Sequence, residues 1–213
     1  MIACIFDLDG VLVDTAQYHF LAWKKLAAEL GIDLTLQNNE RLKGVGRMDS
    51  LNIILSINGI SLPEEEKERL ATKKNTWFTG YIDAMKKEEI LPGAVALLDA
   101  LQQSGIKIAL ASSSKNAQTV IDKLDIRKYF DAIVDGNMIS RSKPDPEIFI
   151  TAAMQLNVSP VDCIVIEDAE AGVEAAKAAG MKCVGIGSAA TLSKADCVVD
   201  GIGMLNIDIL NKL

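Results

Sequence analysis

The chain has 213 residues, of which 49% are hydrophobic and 24% charged, and it carries a net charge of −7. That length can bury a substantial core as one large domain or as a domain with an insertion. The acidic balance, with no basic stripe to neutralise phosphates, argues against a nucleic-acid binder but allows a small anionic substrate.

No uncharged apolar stretch approaches the length of a membrane span. The N-terminus has no basic region ahead of an apolar run, so no signal peptide is expected. Cys4, Cys163, Cys183 and Cys197 lie in short apolar runs without C-x-x-C spacing. They read as buried thiols of a cytoplasmic protein, not as disulfides or a zinc site.

Residues 2–6 form an uncharged, mostly apolar run, the pattern of a strand buried on both faces. Asp7 and Asp9 follow, two residues apart, so in an extended chain both carboxylates face one small volume. Gly10 permits a sharp turn there. Two acids at a strand end are costly as packing, and a divalent cation with oxygen ligands, such as Mg²⁺, would offset that cost.

From Thr15 the pattern turns helical. Phe20, Trp23, Ala27 and Leu30 recur at helical spacing, with Gly31 at the expected C-terminal cap. Leu51, Ile54, Leu55 and Ile57 mark a second helix, ended by Asn58-Gly59. The spacing of Ser61-Leu62-Pro63-Glu64 predicts a capping box for a third. After Leu91-Pro92-Gly93, helices over 94–104, 115–124, 146–156 and 170–179 alternate with strands over 106–111, 132–134, 163–166, 183–186 and 197–199. The alternation predicts an α/β fold: a doubly wound parallel sheet, Rossmann-like, with helices on both faces. Residues 1–14 and 88–213 are expected to make this α/β core, with residues 15–87 an inserted helical domain that would cap it.

Other chemistry stands at the predicted strand ends. Ser112-Ser113-Ser114-Lys115-Asn116 follows one strand and opens a helix, as a phosphate cradle or a cluster of N-caps would. Lys143-Pro144-Asp145-Pro146 begins another helix, and Glu167-Asp168 ends an apolar strand.

Asp7-x-Asp9-Gly10-Val11-x-x-Asp14-Thr15, with these three segments in order, resembles the four motifs of the haloacid dehalogenase-like superfamily. The resemblance implies that Asp7 is a nucleophile that takes a phosphoryl group and Asp9 a general acid/base. It implies that Ser112 binds the phosphoryl group and that Lys143 is a fixed cation beside it. One Mg²⁺ would be held by Asp7, the Asp9 carbonyl, Glu167 and Asp168. Dehalogenase members lack the second acid, so Asp9 favours phosphoryl transfer. Ala169 stands where the family often has Ser or Thr.

Lys43-Gly44-Val45-Gly46-Arg47, Asp14-Thr15-Ala16-Gln17-Tyr18-His19-Phe20 and the Ser112–Asn116 segment are similar to segments of the sugar-phosphate mutases within that superfamily. The resemblance implies transfer between the 1- and 6-hydroxyls of glucose through glucose 1,6-bisphosphate. Arg47 offers a planar fork for the distal phosphate, to which Lys115 and Asn116 can add; Gly44 and Val45 would give backbone groups to the sugar, and Lys43, Ser113 and Ser114 also belong to the expected substrate set. Thr15, His19 and Trp23 complete the substrate set, His19 coupling cap closure to Asp9; Trp23 and Trp77 read chiefly as cap core. A closing cap would keep water from the aspartyl phosphate. The alternatives are a sugar-phosphate phosphatase and a non-catalytic sugar-phosphate sensor. Small sugar phosphates are the expected partners, and a monomer is the expected state.

Overall fold

The structure, a computed structural model, describes residues 2–213. Six parallel strands form its sheet: β1 (Ala3–Phe6), β2 (Lys107–Ala111), β3 (Ala132–Val134), β4 (Cys163–Glu167), β5 (Lys182–Ile186) and β6 (Cys197–Val199), in the order β3-β2-β1-β4-β5-β6. β1 is central, and the chain winds outward from it in both directions. The crevice at such a reversal is where open α/β sheets bind ligands.

Alternation along the strands divides the core. Cys4, Phe6, Ile108, Leu110, Ile164 and Ile166 pack on one face with α5 (Ala94–Gln103) and α6 (Ala117–Lys123). Ala3, Ile5, Ala109, Ala111, Cys163 and Val165 face the other way, against α7 (Glu147–Leu156) and α8 (Glu170–Ala178). A short α9 (Ile207–Leu210) ends the chain on the first face.

Between β1 and α5 lie α1 (Ala16–Glu29), α2 (Leu36–Glu40), α3 (Arg47–Ile57) and α4 (Glu64–Asp83). Trp23, Leu26, Ala27, Leu51, Ile54, Leu55, Leu70 and Ala71 give them a separate apolar cluster. Ala22, Phe78 and Ile82 instead join the core under the sheet, so α1 and α4 root the insertion. The two connecting stretches run side by side: Val13 pairs with Ile90, Leu91 N donates to Leu12 O at 2.9 Å, and the Tyr18 hydroxyl donates to Glu89 at 2.6 Å. Among the described residues no helix is long and apolar enough to cross a membrane.

Two sequence expectations are corrected. No capping box forms at Ser61: Pro63 is the residue before the first turn of α4 and Ser61 lies too far back. Glu64, Glu65 and Glu66 fill that turn instead, where the helix dipole favours acids, and Glu64 and Glu66 pair with Lys67 and Arg69. The helix predicted from residue 115 begins at Ala117, because Ser112, Ser114 and Asn116 form side-chain-supported turns before it.

Candidate active site

Register brings the motifs together. Phe6 is level with Leu110 on one side and Ile166 on the other, so Asp7 stands between Ala111-Ser112 and Glu167-Asp168. Asp7 N donates to Ile166 O at 3.0 Å, and Ser112 N to Val134 O at 3.0 Å.

Lys143, 1% exposed, is at the centre. Its Nζ donates to Asp7 Oδ1 at 2.5 Å, to Glu167 Oε1 at 2.6 Å and to Ala111 O at 3.3 Å. Burial pulls the ammonium pKa down, but Asp7 and Glu167 outweigh it and hold the lysine charged.

Asp9 accepts a hydrogen bond from the Thr15 hydroxyl, and His19 Nε2 lies 3.9 Å from the same oxygen. Burial, then the neighbouring Asp7, pushes the Asp9 pKa up to about 7. His19 Nδ1 is 3.0 Å from Lys74 Nζ, which sits over the rings of Trp23 and Phe78 at 4.6 Å from each. Burial, Lys74 and Arg47 hold the imidazole well below its usual pKa, and burial with Arg47 brings Lys74 down to about 7. His19 is therefore neutral near pH 7, and its buried Nε2 has no hydrogen-bond partner among the described residues.

The helical insertion closes over these strand ends, leaving a cavity between insertion and core. Ser113 Oγ donates to Gly44 O at 2.9 Å. Asn75 Oδ1 accepts from Arg47 Nη2 at 2.8 Å and from Asn116 Nδ2 at 2.9 Å, so one amide oxygen aligns a cap guanidinium with a core amide. Gly44, at φ +72°, comes so near Ala169 that a Cβ would stand 3.0 Å from that methyl. Ala169 thus occupies the point where the cap approaches the sheet.

Asp7, Asp9, His19, Trp23, Lys43, Gly44, Val45, Arg47, Ser112, Ser113, Ser114, Lys115, Asn116 and Asp168 all line the cavity. Thr15 does not: it is fully buried behind Asp9, which it holds. Its expected contact with substrate is therefore replaced by a positioning bond.

Glu167 is anchored through both oxygens. It is fully buried, with Oε1 taken by Lys143 and Oε2 accepting from Ala169 N at 2.8 Å. Each oxygen keeps a second lone pair, so neither bond bars it from a metal. Among the described residues no three such side chains surround one point as they would a bound ion. The donor set nevertheless fits one. Burial and the nearby carboxylates push Asp168 well above the carboxylate range, and burial raises Glu167 despite Lys143. A Cβ on Gly10 would lie 2.2 Å from Asp168 Oδ2, so the turn at φ +82° keeps that oxygen's approach open.

These raised pKa values set a sign. Carboxyl groups that hold protons more tightly in the fold than in the unfolded chain stabilise it at acid pH. That contribution is lost as pH rises from the ordinary carboxylate range, through about 7 for Asp9. A divalent cation replaces those protons. Calorimetric melting at about pH 5 and about pH 8, with Mg²⁺ or with a chelator, is expected to show a larger Mg²⁺ stabilisation at the higher pH. Equal shifts at both would contradict these carboxylates as the ligands.

Sequence reasoning missed Lys74 and Asn75, together with Asn39, Leu42 and Ser50, which also line the cavity. Lys74 left a signal: it continues the stripe Leu70, Phe78 and Ile82 at helical spacing, a core position for a charged residue.

Aspartates at a central strand end, a buried lysine joining two of the acid-bearing strand ends, and a cavity lined with cations and hydroxyls define an enzyme that handles phosphoryl groups. The family model of haloacid dehalogenase-like hydrolases matches residues 1–180, and the chain belongs to that family. It is 46% identical over 214 residues to the β-phosphoglucomutase of Bacillus subtilis, covering 100% of this chain and 95% of that protein. A phosphorylated carbohydrates phosphatase of Thermotoga maritima is 36% identical over 185 residues, 85% of this chain and 83% of its own. The crystal structure of β-phosphoglucomutase from Clostridium difficile superposes with a TM-score of 0.96 at 45% identity, covering 100% of this chain and 96% of that one.

Proposed function

We propose that the protein is a Mg²⁺-dependent mutase that interconverts β-D-glucose 1-phosphate and β-D-glucose 6-phosphate. It passes through a phosphorylated Asp7 and glucose 1,6-bisphosphate. The observation that supports this reading is a second group in the cavity with the chemistry to bind a phosphate: Arg47 from the insertion and Asn116 from the core, both hydrogen-bonded to Asn75, with Lys115 also lining the cavity. A bisphosphate needs two anion sites at once, one at Asp7 and one here. The full-length similarity to two β-phosphoglucomutases supports the same reading.

Phosphorylated Asp7 first gives its phosphoryl group to the 6-hydroxyl of β-glucose 1-phosphate: Asp9 takes that hydroxyl's proton as the oxygen bonds to phosphorus and the bond to Asp7 breaks, leaving glucose 1,6-bisphosphate. With the bisphosphate turned round, an Asp7 oxygen bonds to the 1-phosphorus as its bond to the sugar oxygen breaks, and Asp9 returns the proton to that oxygen, giving glucose 6-phosphate and phosphorylated Asp7. Lys143 fixes Asp7 from behind and presents a charge to the phosphoryl oxygens, while Ser112 and backbone N–H groups at its turn orient them. Mg²⁺, which Asp7, the Asp9 carbonyl, Glu167 and Asp168 would hold, would neutralise the phosphoryl charge. Residues 15–87 act as a cap domain over the core of 1–14 and 88–213. Its closure lets sugar, not water, receive the phosphoryl group. The protein works in the cytoplasm as a monomer.

The test gives purified protein Mg²⁺, β-glucose 1-phosphate and a trace of glucose 1,6-bisphosphate, and follows glucose 6-phosphate and free phosphate in parallel. Glucose 6-phosphate with little phosphate is the expected result. Phosphate release matching substrate loss would instead make the protein a phosphatase, as its Thermotoga relative is named.

A further inference from the structure

Hydrogen bonds that tie the insertion to the sheet near the cavity are of two kinds. Ser113 to Gly44 and Asn116 to Asn75 are made by residues that line the cavity. The third is separate. Ser142 Oγ donates to Asp49 Oδ2, and neither residue faces the cavity; both lie in a cleft on its outer side, between the insertion and the core.

The surroundings suit this bond. Asp49 stands in the first turn of α3, and Ser142 immediately precedes Lys143. The turn that carries Ser142 is firmly held: Asp145 N donates to Ser142 O at 3.0 Å, and Ser140 N and Arg141 N donate to the Glu147 carboxylate at 2.9 and 2.8 Å. Gly46 is the residue before α3, at φ −68° and ψ 163°, a conformation open to any residue. Its missing side chain has another reason. A Cβ there would stand 3.0 Å from Ser142 Oγ and 3.2 Å from Asp49 Oδ2, crowding the point where the two meet.

We infer that Asp49 and Ser142 are a latch, outside the substrate site, that holds the insertion closed and limits the loss of phosphoryl groups to water. Its catalytic consequence rests on the mutase reading above; its mechanical one does not. The latch makes no contact with substrate, so it acts on the open–closed balance and leaves the bond-making geometry alone.

Ser142→Ala removes the donor, and Ser142→Thr keeps it. For Ser142→Ala, KM for β-glucose 1-phosphate and phosphate released per glucose 6-phosphate formed are each expected to rise about 5–10-fold, with kcat changed less than about 2-fold. Ser142→Thr should restore wild-type behaviour, which a general loss of packing would not allow. Ser142→Ala in an Asp49→Ala background should add nothing further.

A second measurement needs no turnover. Spin labels at Leu36→Cys and Met154→Cys, with Cys197→Ser, report the separation of insertion and core from positions 70% and 73% exposed. Ser142→Ala should lengthen and broaden that distance. An unchanged distance overturns the latch, and a longer distance with unchanged phosphate partition overturns its catalytic role. A wild-type protein that releases phosphate without forming glucose 6-phosphate overturns the mutase reading, and the distance alone then decides the latch.

Discussion

Lys143→Met is expected to lower kcat/KM by ~10²–10³-fold and to destabilise the fold by ~3–5 kcal/mol. The two losses have one origin. Lys143 is the only cation bonded to Asp7 and Glu167 among the described residues, and Glu167 is 0% exposed. Without the ammonium, Glu167 must either keep an uncompensated charge or take up a proton, and Asp7 loses the contact that aims it. Removing one partner of a buried ion pair costs more than the pair contributes, because the stranded charge keeps its desolvation penalty. Such a loss is large against the ~5–15 kcal/mol that holds a typical domain together. Lys143→Arg should recover little, since a planar fork cannot replace a compact ammonium between Asp7, Glu167, Ala111 O and the Phe149 ring. Urea titration and steady-state kinetics on both variants would check this. Mild acid should return part of the stability to Lys143→Met by protonating Glu167, but none of the activity. Recovery of activity at acid pH would mean that the lysine acts only through folding.

How far the site was legible depended on where its residues sit in the chain. Asp7, Ser112 and the pair Glu167-Asp168 each follow an apolar strand, and a parallel sheet sets such ends side by side through register. Their meeting therefore followed once the strands were read. Side-chain direction did not follow. The bonds that orient Thr15 and Glu167, to Asp9, Lys143 and Ala169 N, follow from no spacing rule. Lys74 and Asn75 were missed for a different reason. They lie in the middle of α4, among Lys67, Arg69 and Lys73, and a lysine in such company reads as solvated. Only its phase with Leu70 and Phe78 marked it as inward, and only the fold of α4 against α1 put it beside His19.

Asp9→Asn is expected to reduce turnover of β-glucose 1-phosphate by ~10²–10⁴-fold while leaving Asp7 able to take a phosphoryl group from a donor with a good leaving group. The reasoning turns on the proton. A sugar hydroxyl leaves as a strongly basic oxygen unless it is protonated as the bond breaks, whereas acetyl phosphate releases a weakly basic carboxylate that needs no acid. Asn keeps the size of Asp9 and an oxygen for the Thr15 hydroxyl, so its loss is chiefly that of the proton. Asp9 is suited to the task by placement. Burial and Asp7 bring its pKa up to about 7, Thr15 holds one of its oxygens, and His19 Nε2 stands 3.9 Å from that oxygen. Acid and base forms are then close in energy, as a group that must donate in one half-reaction and accept in the other requires. Incubating Asp9→Asn with labelled acetyl phosphate and Mg²⁺, then quenching, should show near-stoichiometric labelling of Asp7. That label should persist when glucose 6-phosphate is added, because the incoming hydroxyl finds no base. If the variant cannot be labelled at all, Asp9 matters for building the site and not for moving a proton. If the label transfers to sugar at the wild-type rate, the proton is taken elsewhere, and Lys74 through His19 would be the route to examine.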